Sequence, residues 1–244
     1  MPLSSLFCRL AVVLLAATGA AAAAEPLSPE QKDAVEKMIH DYIVEHPQVL
    51  FDALQSGAQS HAIDFSKQAI AANRDALLAD PTSPVGGNPA GDVTVVEFFD
   101  YRCPYCKEVE PSLEALLAQD GKVRIVFKEF PILGPASLFA SRIALAARAQ
   151  GKYDAFHREM INTKGAIDNA TVERVATGVG IDLAKAKEAA KSAQIDQLIR
   201  RNYVLAEALH IQGTPAFVIG DELVQGTAEI DILKQLIAAA RKKG

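Results

Sequence analysis

The chain has 244 residues, half of them hydrophobic and 23% charged, with a formal charge of −5. That composition excludes a disordered chain, and its acidic balance argues against nucleic acid or an anionic membrane surface as a partner. Past the first two dozen residues, no apolar run reaches the ~18 residues expected of a spanning helix.

Residues 1–24 read as a signal peptide. Arg9 supplies a positive start, LAVVLLAATGA an apolar stretch, and AAAAE small residues before a cut near Ala24. The expectation is export to a compartment where disulfides form. Cys8 leaves with this leader, so the exported chain keeps two of its three cysteines, Cys103 and Cys106.

Residues 25–80 read as a helical segment. Ser28, Pro29 and Gln31 supply an N-cap, a first-turn proline and a capping-box partner. The helix behind them places Val35, Met38, Ile39, Tyr42 and Ile43 on one face and stops near His46-Pro47. A short second helix is predicted over PQVLFDALQSG and a third over HAIDFSKQAIAANRDALLAD. Such helices bury their apolar stripes poorly alone, so they dock either on the rest of the chain or on copies of themselves. Residues 81–91, dense in proline and glycine, read as a linker.

Residues 92–244 have an α/β pattern. VTVVEFF (93–99) predicts a buried strand that runs into FFDYRCPYC. Pro104 suits the first turn of a helix continuing through Leu113, Leu116 and Leu117, with Gly121 past its end and a kink expected at Pro111. KVRIVFKEF (122–130) is a second strand, and strand–helix–strand predicts a parallel βαβ unit. Helices fill about 136–210, one of them capped by Asp182. TPAFVIG, a Gly220-Asp221 turn and ELVQG then form a hairpin, followed by a helix from Thr227 to about Arg241. The cysteine pair therefore belongs at the carboxyl end of the first strand of a mixed sheet.

The pair has three chemistries to choose from. Structural zinc needs four ligands, and His40, His46, His61, His157 and His210 include no pair at finger spacing. A structural disulfide would close a loop of a few residues and stabilise little. A redox couple fits the local sequence. A cysteine at a helix N-terminus faces unpaired N–H groups and the positive end of the dipole, which hold its thiol below the ordinary value of about 8.5. Cys103 is then the nucleophile, and Cys106, one turn deeper, the resolving thiol. Glu97 stands in an otherwise apolar strand, either at an exposed edge or as a buried acid that must be protonated, paired or solvated; Lys128 is its candidate partner. Phe98 and Phe99 read as core, Tyr101 and Tyr105 as flanking the thiols where substrate could touch them. The histidines have no role in this reading.

FFDYRCPYC and GTPAF, separated by the helical insertion, resemble the thioredoxin-like DsbA family of exported disulfide oxidoreductases over roughly residues 85–244. FFDYRCPYCKEVEP, KEFPILG and the helical N-terminus look like its ScsC branch, the suppressors of copper sensitivity. The resemblance implies a thioredoxin-like fold with an all-helical insertion and catalysis by Cys103 and Cys106. It places Thr214 and a cis Pro215 along the substrate, where Pro104 and Tyr105 of the cysteine motif are further binding candidates, with Glu97 relaying protons for Cys106. No cofactor or metal is required. The implied partners are proteins with cysteines or disulfides, a membrane redox partner, and further copies of the chain, trimeric in at least one relative. The implied location is the periplasm. No histidine stands between the cysteines, unlike another version of the family, so that version's oxidising strength does not carry over. The function expected is disulfide isomerisation. The alternatives are net dithiol oxidation with recharging by a membrane partner, or a copper-binding or chaperone role. Met38 and Met160 are few soft ligands for a copper carrier.

Overall fold

A computed structural model describes residues 27–243. The leader expected over 1–24 lies outside the described residues. The chain divides into two units between Ser56 and Gly57.

In the first unit, α1 (Pro29–Glu45) starts on the expected capping box. Ser28 Oγ accepts from the Gln31 N–H at 3.2 Å, and Gln31 Oε1 accepts from the Ser28 N–H at 2.9 Å. No residue of α1 is buried, and Met38, Ile39 and Tyr42 are each more than half exposed. The next helix, α2 (Pro47–Ala72), crosses the division as a single helix where two were expected. The shorter of the expected helices ends at Gly57. Interior glycine costs a helix only about 1 kcal/mol, and no proline follows to enforce a break.

The second unit continues with α3 (Arg74–Leu78), β1 (Val85–Gly87), β2 (Val93–Phe99), α4 (Pro104–Gln119) and β3 (Val123–Glu129). Five helices follow: α5 (Pro135–Ala147), α6 (Tyr153–Ile161), α7 (Asn169–Gly178), α8 (Leu183–Ala189) and α9 (Ala193–Ala208). The hairpin β4 (Ala216–Ile219) and β5 (Glu222–Gln225) and a last helix, α10 (Ile230–Lys243), complete the thioredoxin-like fold. The strands lie in the order β1-β3-β2-β4-β5, with β2 and β3 parallel, as a βαβ unit requires, and the other pairs antiparallel. α4 continues unbroken through Pro111. The β4–β5 turn needs its glycine: Gly220 has φ +63°, and a β-carbon there would meet the Ala240 side chain.

Alternation along β2 sorts the core into two layers. Val95 and Phe99 join Phe127 and Phe217 against α4, the helical insertion and α10. Val96 and Phe98 join Val126, Phe130 and Val218 on the other face, against Ala69, Ile70, Leu77, Leu205 and Leu209. Two corrections follow. Ala69, Ile70 and Leu77 belong to the core of the sheet domain, although they precede the expected boundary at residue 80. Within the expected linker, Val85–Gly87 forms an edge strand on β3.

Lys128 is a third correction. It sits opposite Phe98 in the β2–β3 register, one residue out of step with Glu97, and so projects to the other face of the sheet. There it is almost wholly buried. Its Nζ donates to Ala76 O at 2.7 Å and Ser83 Oγ at 2.8 Å, and lies 3.8 Å from Asp80. Burial pulls its ammonium down to about 8 against the opposing pull of Asp80. Lys128 ties α3 and its following loop to the sheet and cannot serve Glu97. Lys128→Met is expected to lower stability by about 2–3 kcal/mol, because it leaves Asp80 and the Ala76 carbonyl without their cation. Urea midpoints check this; an unchanged midpoint with lost activity would return Lys128 to the site.

Candidate active site

The turn after β2 is built by Asp100. Its Oδ1 accepts from the Arg102 N–H at 2.8 Å, its Oδ2 from the Leu133 N–H at 2.9 Å, and its carbonyl from the Cys103 N–H at 3.0 Å. The chain is thereby turned so that Cys103 becomes the N-cap of α4, with Pro104 in the first turn. Both cysteines are free thiols. Cys103 Sγ lies 3.1 Å from the Thr214 carbonyl oxygen, and the Thr214-Pro215 peptide bond is cis. Cys103, Pro104, Tyr105, Thr214 and Pro215 therefore share one end of the molecule, with Cys106 fully buried behind them. Tyr105 is 58% exposed beside the pair.

The two thiols are electrically unlike. The Cys106 thiol hydrogen-bonds to Cys103 and holds it down to about 6; bonds from the Thr214 side chain and the backbone N–H groups of Cys106 and Tyr105 assist, against burial. Burial drives Cys106 far the other way, helped by its bond to Cys103 and the charge of Glu97. At neutral pH Cys103 is mostly thiolate, while Cys106 keeps its proton.

Beneath the pair, Glu97 lies between Phe127 and Phe217 in the sheet register. It is buried, and its Oε2 has no hydrogen-bond partner. Burial, then the charges of Glu110 and Glu129, push its carboxyl well above the usual range. Glu110, one turn beyond Cys106 on α4, is also raised, by burial and by Glu114. Glu110, Glu114, His157 and Arg158 line a pocket of about 390 Å³, so this second acid reaches toward solvent.

Tyr101 is a correction. It is wholly buried and cannot touch substrate. Its hydroxyl donates to Glu129 Oε1 at 3.1 Å, which also accepts from Tyr153 at 2.9 Å; Glu129 Oε2 accepts from Ser141 at 2.7 Å. Burial raises Glu129 to about 8 despite these donors. Tyr101 also lies 3.2 Å from His157 Nδ1, and burial holds His157 down to about 3, neutral at any working pH. Glu110, Glu129, Tyr153 and His157 went unseen in the sequence. Only Glu110 had a local signal: it is four residues from Cys106, on the face of α4 that also buries Leu113.

The model of the DSBA-like thioredoxin domain matches residues 94–238, and that of the copper resistance protein ScsC N-terminal domain matches residues 31–56. A thioredoxin-like oxidoreductase from Silicibacter pomeroyi is 45% identical with a TM-score of 0.69, covering 70% of this chain and 98% of its own. A linker-deleted Proteus mirabilis ScsC is 28% identical with a TM-score of 0.67, over 91% of this chain and all of its own. The thiol:disulfide interchange protein DsbA of Bordetella parapertussis is 29% identical over 65% of this chain and 82% of that protein. Na(+)/H(+) antiporters NhaA of Salinispora also match, but the chain spans only 24% of their length. The chain belongs to the DsbA-like thioredoxin family of thiol–disulfide oxidoreductases, in its ScsC branch.

Proposed function

We propose that this oxidoreductase is an exported, periplasmic disulfide isomerase that works as a homo-oligomer joined through its N-terminal helices. The observation that carries the isomerase reading is the exposed apolar face of α1, Met38, Ile39 and Tyr42, inside the stretch matched by the ScsC N-terminal domain. An assembly on that face brings several Cys103 thiolates to one substrate.

The cycle begins when the Cys103 thiolate attacks one sulfur of a substrate disulfide. A Cys103–substrate bond forms as the substrate S–S bond breaks, and the second substrate sulfur leaves as a thiolate. The Thr214-Pro215 edge and the exposed Tyr105 hold the substrate. The freed thiolate can attack another substrate disulfide, and the thiolate released there attacks the substrate sulfur held on Cys103; a new substrate S–S bond forms, the Cys103–substrate bond breaks, and the pair ends as it began. Otherwise Cys106 attacks Cys103 and the substrate leaves reduced, after which a membrane redox partner must reduce the pair again. Glu97 holds its own proton more tightly than an ordinary carboxyl, and its ionised form takes the Cys106 proton in that second exit. Its raised pKa makes it a better base for a reluctant thiol.

One observation favours net oxidation instead. A thiolate stabilised to about 6 favours the reduced pair and so makes its disulfide more oxidising. Reactivation of scrambled, fully oxidised ribonuclease by the full chain in a glutathione buffer separates the two. Recovery that requires Cys103 is the expected result. No recovery, with intact oxidation of a reduced dithiol peptide, would make the chain an oxidase.

The order of attack has its own test. Cys106→Ala is expected to accumulate mixed disulfides between Cys103 and substrate, visible as mass adducts on non-reducing gels. Adducts confined to Cys103→Ala would reverse the roles.

A further inference from the structure

Residues 209–215 join α9 to β4 and carry the Thr214-Pro215 edge. Leu209 and Ile211 are anchored in the second core layer, and His210 between them takes a φ of +54°. Among the described residues it is the only non-glycine residue in that left-handed region, which a β-carbon disfavours. Something must hold it there. From β5, Gln225 Nε2 donates to the His210 carbonyl and Gln225 Oε1 accepts from the Gln212 N–H, both at 3.3 Å. From the other side, the Phe65 ring of α2 stacks on the His210 imidazole, with centroids 4.2 Å apart and planes inclined by 30°. The helix has two further holds on this region. Lys67 lies 3.4 Å from Glu222 of β5, and Ala69 and Ile70 pack in the same core layer as Leu209 and Ile211. Four residues after His210, the carbonyl of Thr214 meets the Cys103 sulfur.

We propose that Phe65 and His210 are positioning residues for thiol–disulfide exchange: their stack fixes the left-handed turn that holds the Thr214-Pro215 edge against Cys103. Helix α2 thereby sets how firmly substrate is gripped. The Thr214 side chain helps hold the Cys103 thiol down and its carbonyl lies against the same sulfur, so a loosened edge costs both the substrate's docking strand and part of the stabilisation of the thiolate. Phe65 contributes no atom to the chemistry, and its ring is partly exposed, so the surrounding core does not depend on it.

The inference rests on the exchange reading, and the test separates the two. In the full chain, KM and kcat are measured on a disulfide-linked reporter peptide, and the pH midpoint of Cys103 alkylation by iodoacetamide is measured without substrate. Phe65→Ala should raise KM about three- to tenfold, the worth of one aromatic pair, with a smaller change in kcat. It should also move the alkylation midpoint upward. Phe65→Tyr should restore both values. His210→Gly removes the ring but accepts the same φ, and should reproduce Phe65→Ala, with the double variant no worse than either. The proposal falls if either ring variant keeps the wild-type KM and midpoint, if Phe65→Tyr restores neither, or if the two losses multiply in the double variant. Should the wild-type chain fail to turn over, the exchange reading fails by itself, and the alkylation midpoints still decide the positioning role.

Discussion

Cys103→Ser is expected to reduce exchange to background, a loss on the order of 10⁴-fold or more. The site is built around a thiolate. The Cys106 thiol, Thr214 and two backbone N–H groups all act on the Cys103 sulfur to hold it down to about 6. A serine hydroxyl starts far above any range these groups could bring to neutrality, and Cys106 cannot take over. Its own thiol is pushed the opposite way by burial, by its bond to Cys103 and by Glu97. The same argument fixes the pH profile of the wild type. Exchange needs the deprotonated sulfur, so the rate should be flat above about pH 7 and fall about tenfold per unit as pH drops below about 6. Peptide turnover and iodoacetamide alkylation from pH 4 to 9 check both statements. More than a tenth of wild-type turnover in Cys103→Ser would identify a different nucleophile. A midpoint near the ordinary thiol value would remove the electrostatic basis of the site.

What could be read from the sequence divides along physical lines. The β2–α4 junction was legible because its signals are local: an apolar β-branched run, a proline fit for a first helical turn, and cysteines at fixed offsets. The hairpin, the Asp182 cap and the Ser28 capping box were legible for the same reason. The errors arose where a tertiary contact decides. Val85–Gly87 is a strand only because β3 offers an open edge; three residues, two of them glycine, have no periodicity to reveal it. Lys128 was paired with Glu97 because both stand in apolar strands, but a one-residue offset in parallel register puts them on opposite faces. Tyr101 flanks the cysteine pair in sequence, yet Glu129 of β3 and His157 of α6 meet its hydroxyl and draw it inward, with Ser141 of α5 and Tyr153 of α6 holding Glu129 in place. The cis Pro215 and its approach to Cys103 rested on the resemblance alone. Nothing local to GTPAF says that the sulfur lies beside it.

Glu97→Leu is expected to separate stability from function. Glu97 is buried between two phenylalanines with one carboxylate oxygen unpartnered, so leucine at that position should stabilise the fold by about 1–3 kcal/mol. The gain should depend on pH in a defined direction. The folded-state carboxyl is raised above its unfolded value, so the native protein holds a proton that the unfolded chain releases. Wild-type stability therefore falls as pH rises above about 4.5, by at most about 1.4 kcal/mol per unit from this one group. Glu110 and Glu129 are raised too and act in the same sense, so the variant should lose part of that slope and keep the rest. Against the gain stands the chemistry. Cys106 must surrender its proton to resolve a mixed disulfide, and Glu97 is the acid whose charge it feels. Removing that base should slow resolution on the order of 10²-fold at pH 7 while leaving the first attack by Cys103 unchanged. Urea midpoints from pH 4 to 8, with single-turnover release from a preformed mixed disulfide, read the two effects independently. A variant that is less stable and resolves at the wild-type rate would mean that Glu97 is a solvated structural acid. A variant that is more stable but slow would mean that the fold carries a buried carboxyl at a cost in stability because Cys106 cannot be deprotonated without it.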